Sequence, residues 1–136
     1  MANDLRVATA RIGRRLRQQH TVGEPTPAEM SVLARLEEFG SCGLVALADA
    51  EQVSSSVVCT TLAGLQSRNL VAREPDPQDG RRVILSLTNA GRSQLHARRS
   101  ALSRQVAAVL HERFEPDERD QLVAVIPLLQ RLATEL

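Results

Sequence analysis

Apolar residues recur along the chain at two spacings, and the change between them sketches the architecture. Leu5, Ala8, Ile12 and Leu16 fall on one helical stripe, so residues 3–20 read as a first helix. HTVGEPTP, with its Gly and Pro residues, is a loop. Thr26 is then a helix N-cap with Pro27 in the first helical position. Met30, Leu33 and Leu36 form that helix's inner face, and it stops near Gly40. The spacing predicts a short helix over 43–53, with Leu44, Leu47 and Ala48 inward, and another over 54–69. Ser54 is the N-cap of the latter, because its hydroxyl can accept from a free backbone N–H. Val58, Leu62 and Leu65, at i, i+4 and i+7, make its buried stripe. The opposite face, Ser56, Thr60, Ala63 and Ser67, is small and uncharged. Surface helices usually carry long charged side chains there; a small polar face fits close approach to something large.

The period then drops to two. LVAREP alternates as a strand, DPQDG turns the chain, and RRVILSL returns, giving a β-hairpin with Arg81 and Arg82 at its tip. Thr88 ends the hairpin and caps a helix over about 89–113, with Leu95, Leu102, Val106, Val109 and Leu110 inward. Pro116 opens a last helix carrying Leu122, Val125, Ile126, Leu129 and Leu132. Pro127, inside that helix, removes one backbone hydrogen bond and should bend it. The first and last helices are too apolar to face water in so small a monomer, and they read as partner-facing. The fold class is mainly α with a small β-hairpin (α+β).

Charge sharpens the picture. The net charge is only +1, and every basic residue is Arg. Residues 1–20 hold five Arg and one Asp; residues 21–53 hold one Arg against six acids. Residues 54–104 hold eight Arg against three acids, none of them beyond Asp79, and the tail from Glu112 is acidic again. A positive middle on a neutral chain points to a local anionic partner. With 136 residues the chain is large enough for one domain with a real core.

Other chemistry finds little support. No apolar run approaches the ~20 residues needed to span a membrane. The N-terminus lacks the continuous apolar core of a signal peptide; it is amphipathic and Arg-rich, as a transit peptide can be, but its spacing suits a packed helix. Cys42 and Cys59 lie too far apart for a CxxC pair, so reduced thiols in a cytoplasmic protein are expected. His20, His96 and His111 share no metal-ligand spacing, and no metal or cofactor is expected. No nucleophile motif, Gly-rich phosphate loop or carboxylate pair stands out, which argues against an enzyme. Phe39 and Phe114 are the only aromatics, too few for a platform that stacks single-stranded bases.

Three helices followed by a hairpin make the winged helix-turn-helix pattern, in which the second helix of the short pair enters the DNA major groove. The hairpin is the wing, and its arginines suit phosphate or the negative minor groove.

The sequence resembles the MarR family of transcriptional regulators. LADAEQVSSSVV and LQSRNLVAREPDPQDGRRVILSLTNAG carry the resemblance, which is strongest from Leu44 to Gly91. The family's wing has an Asp-x-Arg-Arg pattern followed by Leu-Thr-x-x-Gly, matched here by Asp79, Arg81, Arg82, Leu87, Thr88 and Gly91. Gly80 falls within that motif, giving a flexible tip; Asn69 stands where many relatives have Gly, and Asn too tolerates a left-handed conformation; Thr60 replaces an Arg common on the recognition helix.

The resemblance implies a homodimer built from the N- and C-terminal helices, reading a pseudo-palindromic double-stranded operator. Within a single domain of residues 1–136, residues 27–104 would be the winged DNA-binding lobe, and 1–22 and 105–136 the dimerisation helices. Ser54, Ser55, Ser56, Thr60, Arg81 and Arg82 are the expected DNA contacts. Asp79 is expected to brace the Arg81 guanidinium. Arg73, Arg92, Arg98 and Arg99 are candidate phosphate contacts. The implied function is sequence-specific regulation, as a repressor released by a small phenolic or lipophilic ligand. Two rivals stand beside it. A winged-helix protein–protein adaptor would want an apolar outer face on residues 54–69. A thiol redox regulator would use Cys59, for which a plain small residue is the blander reading.

Overall fold

Thr26 starts the part of the chain that builds a core. In the computed structural model, which describes residues 1–136, its hydroxyl accepts from Glu29 N while Glu29 reaches back to Thr26 N, a reciprocal cap for α2 (Pro27–Phe39). Gly40, at φ 78°, ends that helix in a conformation few residues tolerate. After β1 (Ser41–Gly43) come α3 (Leu44–Glu51) and α4 (Ser55–Ser67), then β2 (Val71–Pro75) and β3 (Val83–Leu87). α1 (Ala2–Arg17) precedes them, and α5 (Asn89–Arg113) and α6 (Pro116–Glu135) follow.

The chain forms two compact units, Met1–Arg98 and Arg99–Leu136. The first holds every buried side chain. Val32, Leu33 and Leu36 of α2 meet Leu47 and Ala48 of α3, Val58, Leu62 and Leu65 of α4, then Leu70, Val71, Leu85 and Leu95. Each large apolar side chain so buried contributes about 1.5–3 kcal/mol before entropy. The helical spacing of the sequence put the inward residues of α2, α3 and α4 where they are found.

Two expectations change. The hairpin is part of a three-stranded antiparallel sheet in the order β1-β3-β2, with Ser41 opposite Ser86 and Cys42 opposite Leu85. Three residues are too few to show an alternating pattern, which is why β1 escaped notice. Val106 and Val109 of α5 are exposed, not inward. They lie in the second unit, which has no buried residue at all, so nothing in that unit covers them. Gly80, at the wing tip, has no positive φ; the glycines that do are Gly23 and Gly40.

The second unit contains the end of α5 and all of α6. α6 is capped by Glu115 and Glu118 and runs unbroken through Pro127. It leaves Leu122, Val125, Ile126, Leu129 and Leu132 exposed. In the first unit, α1 likewise has no buried residue, and Leu5 and Ile12 face water.

The root of the wing is held tightly. Asn69 takes the left-handed conformation at φ 57°, as its short polar side chain permits. Its carbonyl accepts the Thr88 hydroxyl at 2.7 Å, while that hydroxyl oxygen accepts from Gly91 N at 2.9 Å to cap α5. Thr88 N donates to the Leu70 carbonyl at 3.2 Å.

Candidate DNA interface

The turn between α3 and α4 is short because Gln52 adopts φ 55°, ψ 39°, directing its N–H to Asp49 O and that of Val53 to Ala48 O. A left-handed residue other than glycine costs about 1–2 kcal/mol and marks a specified turn. Sequence reasoning did not foresee it, since Gln is not a usual left-handed residue. Ser54 then starts α4, its Oγ accepting from Val57 N at 3.3 Å.

α4 carries no charged residue from Ser55 to Ser67. Ser55, Ser56, Thr60, Ala63 and Ser67 are exposed along it, opposite buried Val58, Leu62 and Leu65. Thr60 Oγ1 donates to Ser56 O at 3.2 Å, which leaves its lone pairs free to accept from a base amino group. Such a surface can enter a ~12 Å wide groove without long side chains in the way.

Two aspartates shape the wing tip. Asp76 Oδ1 accepts from Gln78 N at 2.8 Å, and Asp79 Oδ1 accepts from Arg81 N at 3.1 Å. Arg82 N donates to Asp79 O, and Asp76 N to Arg82 O, both at 3.0 Å. Asp79 therefore does support the wing, but not by gripping the Arg81 guanidinium. Its ion pair is with Arg82 Nε at 3.7 Å. The reason is local. Once one carboxylate oxygen holds the Arg81 N–H, the other faces the side chain three residues on, which is Arg82. The pair is exposed and long, so its worth is small, and the Arg81 guanidinium is left exposed without a protein partner.

Between α3 and the wing lies an open groove of about 740 Å³. Arg73, Arg81 and Arg82 line one side; Gly43, Leu44, Val45 and Ala46, where α3 begins, line the other with Asp49. The first N–H groups of α3 have no side-chain cap, so this end of the helix is positive and open to an anion. Three arginines against one aspartate make the groove attractive to a phosphodiester. The α3 residues were not anticipated; an uncapped helix directly after Gly43 was the available signal.

The other candidates separate. Arg92 is exposed. Arg99 is exposed in the second unit. Arg98 is instead turned into its own unit. Its guanidinium donates to Leu16 O at 3.4 Å and pairs with Glu24 at 3.6 Å, fastening the end of α1 and the following loop to α5. Arg98→Ala should lower stability by about 1 kcal/mol, below the ~1.5–3 kcal/mol of a well-formed charged hydrogen bond because both contacts are long. It should leave the slope of log affinity against log salt unchanged, where loss of a phosphate contact would reduce it by about one. A thermal melt and a DNA titration in several salts check both.

Cys59 is exposed on α4 and rims a recess of about 170 Å³ with Leu44, Leu62, Ala63, Arg73 and Val83. Burial pushes the Cys42 thiol above its ordinary pKa, so it stays protonated and unreactive at neutral pH. Read as a plain small residue of α4, Cys59 is dispensable, and Cys59→Ser should bind DNA like the unchanged chain, with and without peroxide. Loss of binding on mild oxidation in the unchanged chain alone would make Cys59 a sensor. His96 pairs with Glu37 and His20 meets Glu24 O; no three His, Cys, Asp or Glu side chains come together to hold a metal.

Residues 26–83 match the model of the MarR family. Over 135 residues the chain is 30% identical to an uncharacterized HTH-type transcriptional regulator of Mycobacterium leprae, ML2140, covering 99% of this chain and 94% of that one. It is 29% identical to the HTH-type transcriptional repressor NicR of Pseudomonas putida, over 85% of this chain and 70% of NicR. Among solved structures it resembles Bordetella bronchiseptica BpsR, whose DNA binding is regulated by 6-hydroxynicotinic acid. That match has a TM-score of 0.64 and 28% identity over 97% of each chain.

Proposed function

The chain belongs to the MarR family of DNA-binding transcriptional regulators, and from that premise we propose that it is a homodimeric repressor that a small molecule releases from its operator. The observation that carries the reading is the pairing of an uncharged, small-residue face on α4 with an arginine-lined groove beside it. The face reads bases and the groove holds the backbone. Ser55, Ser56 and Thr60 contact base edges or nearby phosphates, Arg81 enters the minor groove, and Arg73, Arg82 and Arg92 neutralise phosphates. A hydroxyl can donate or accept, so Ser and Thr discriminate bases less sharply than a forked Arg on guanine. Wing and phosphate contacts accordingly carry much of the affinity.

The homodimer reading is supported by the apolar residues that α1 and α6 leave in water. A two-fold pair of recognition helices places half-sites about one helical turn, ~34 Å, apart. Repression and ligand release are supported by NicR, which is a repressor, and by BpsR, whose DNA binding a hydroxylated ring acid regulates. The inducer is expected to be of that phenolic or lipophilic kind. No helix is long and apolar enough to cross a membrane, and a cytoplasmic site of action follows from the DNA partner.

Footprinting on the DNA flanking the chain's own gene tests the reading. Two protected half-sites one turn apart, overlapping the promoter, are expected. Uniform protection at all sequences would reduce the protein to a non-specific binder.

A further inference from the structure

We propose that the arginine face of α1 is a charge-coded docking surface for a second copy of this chain, and that its counterpart is the acidic segment Glu112–Asp120 of that copy. The inference rests on the homodimer reading above and adds what selects the partner.

Arg11, Arg14, Arg15 and Gln18, at i, i+3, i+4 and i+7, share one face of α1 and line a recess of about 430 Å³. The three arginines have no carboxylate partner in their own chain, and no residue of α1 is buried. Like charges three and four apart repel along a helix. The helix dipole accounts for Arg14, Arg15 and Arg17 in the last turn. It does not account for Arg11, which sits a turn earlier on the same face. Arg98 bonds the Leu16 carbonyl and Glu24, so the far end of α1 is anchored and the face is presented from a fixed base.

The matching surface lies in the second unit. Residues 112–120 hold five acids against two arginines, a net charge of −3. Glu115 and Glu118 cap α6, and Asp117 suits its first turn. Glu112, at the end of α5, has the sign that a helix C-terminus disfavours. Neither Glu112 nor Asp120 is paired with a cation, and both are exposed. Two-fold symmetry makes the match productive. In an isologous interface a contact from one surface to another is repeated with the chains exchanged. A basic face meeting a distant acidic segment therefore gains twice. The exposed Leu5 and Ile12 of α1 and the exposed apolar residues of α6 add burial without selectivity.

Charge reversal in the full-length chain tests this. One variant carries Arg11→Glu, Arg14→Glu and Arg15→Glu; the other carries Glu112→Arg and Asp120→Arg, which leaves the α6 cap intact. Dimer dissociation constants are read by sedimentation, and hetero-pairing by mixing differently sized tagged chains. Each variant alone should dimerise at least about tenfold more weakly at ~0.05 M salt, and the deficit should shrink at ~1 M, where the screening length is about 3 Å. The mixture should restore near-wild-type affinity as a heterodimer. Melting of each variant near the wild-type temperature shows that the lobe is intact. Variants that dimerise like the wild type, or a mixture that fails to pair, overturn the proposal while leaving the homodimer standing. So does loss of DNA affinity with dimerisation unchanged, which would assign the arginine face to phosphates. A wild-type chain that stays monomeric defeats the homodimer reading itself.

Discussion

Gly91→Ala is expected to cost more than about 3 kcal/mol of folding stability, beyond the usual range for added core bulk. An alanine Cβ would sit 2.0 Å from the Leu70 carbonyl oxygen, 3.0 Å from its carbon and 3.3 Å from Leu87 Cδ2. The first two atoms are backbone, so no change of rotamer relieves the clash. The same carbonyl accepts from Thr88 N, and Thr88 in turn holds Asn69 O and caps α5 through Gly91 N. Moving it loosens the joint between α4, the wing and α5 together. Gly80→Ala is the control. Gly80 avoids the left-handed region and an added Cβ would meet nothing within 4 Å, so its melting should stay within about 0.5 kcal/mol of the wild type. Thermal or urea unfolding of both variants gives the comparison. A Gly91→Ala chain as stable as Gly80→Ala would mean that the start of α5 shifts freely.

The second large effect is on binding. Arg81→Ala should weaken DNA affinity by about 1–3 kcal/mol on every sequence and lower the salt slope by about one. Its guanidinium has no protein partner to lose, so the whole effect belongs to DNA. Arg82→Ala should lose less, since Asp79 already offsets part of its charge at 3.7 Å. Asp79→Ala acts through the backbone, releasing the Arg81 N–H and Arg82 together. It should weaken binding less than Arg81→Ala and blur any A·T preference at the flanks of the site. Titrations at several salt concentrations separate the three. Arg81→Ala binding like the wild type throughout would make the wing tip a solvated turn.

How far the sequence revealed this arrangement depended on the range of each signal. The α2 cap, the Ser54 cap and the Val58–Leu62–Leu65 stripe are set by residues within two turns of one another, and all were legible. So was the left-handed Asn69. Contacts set by tertiary geometry were not. β1 forms because Cys42 lies opposite Leu85, 43 residues on. Arg98 looked like one of a basic run, yet it is held by Leu16 and Glu24 from the far end of the unit. Charge count sees that an arginine is present, not which way it points. The Asp79 brace was placed on the wrong arginine for a subtler reason. The motif names the residues, but the turn decides which carboxylate oxygen is already committed to a backbone N–H.

The central claim is that α4 reads sequence while the wing and groove hold the backbone. The most direct test is the affinity of the full-length chain, and of Thr60→Ala, for its footprinted site and for a scrambled duplex of equal length across a salt series. The account predicts a site at least ~10³-fold tighter than the scrambled duplex. For Thr60→Ala it predicts an altered preference at the central bases with an unchanged salt slope. Equal affinity for both duplexes, or a Thr60→Ala chain that loses only salt-dependent affinity, would contradict it.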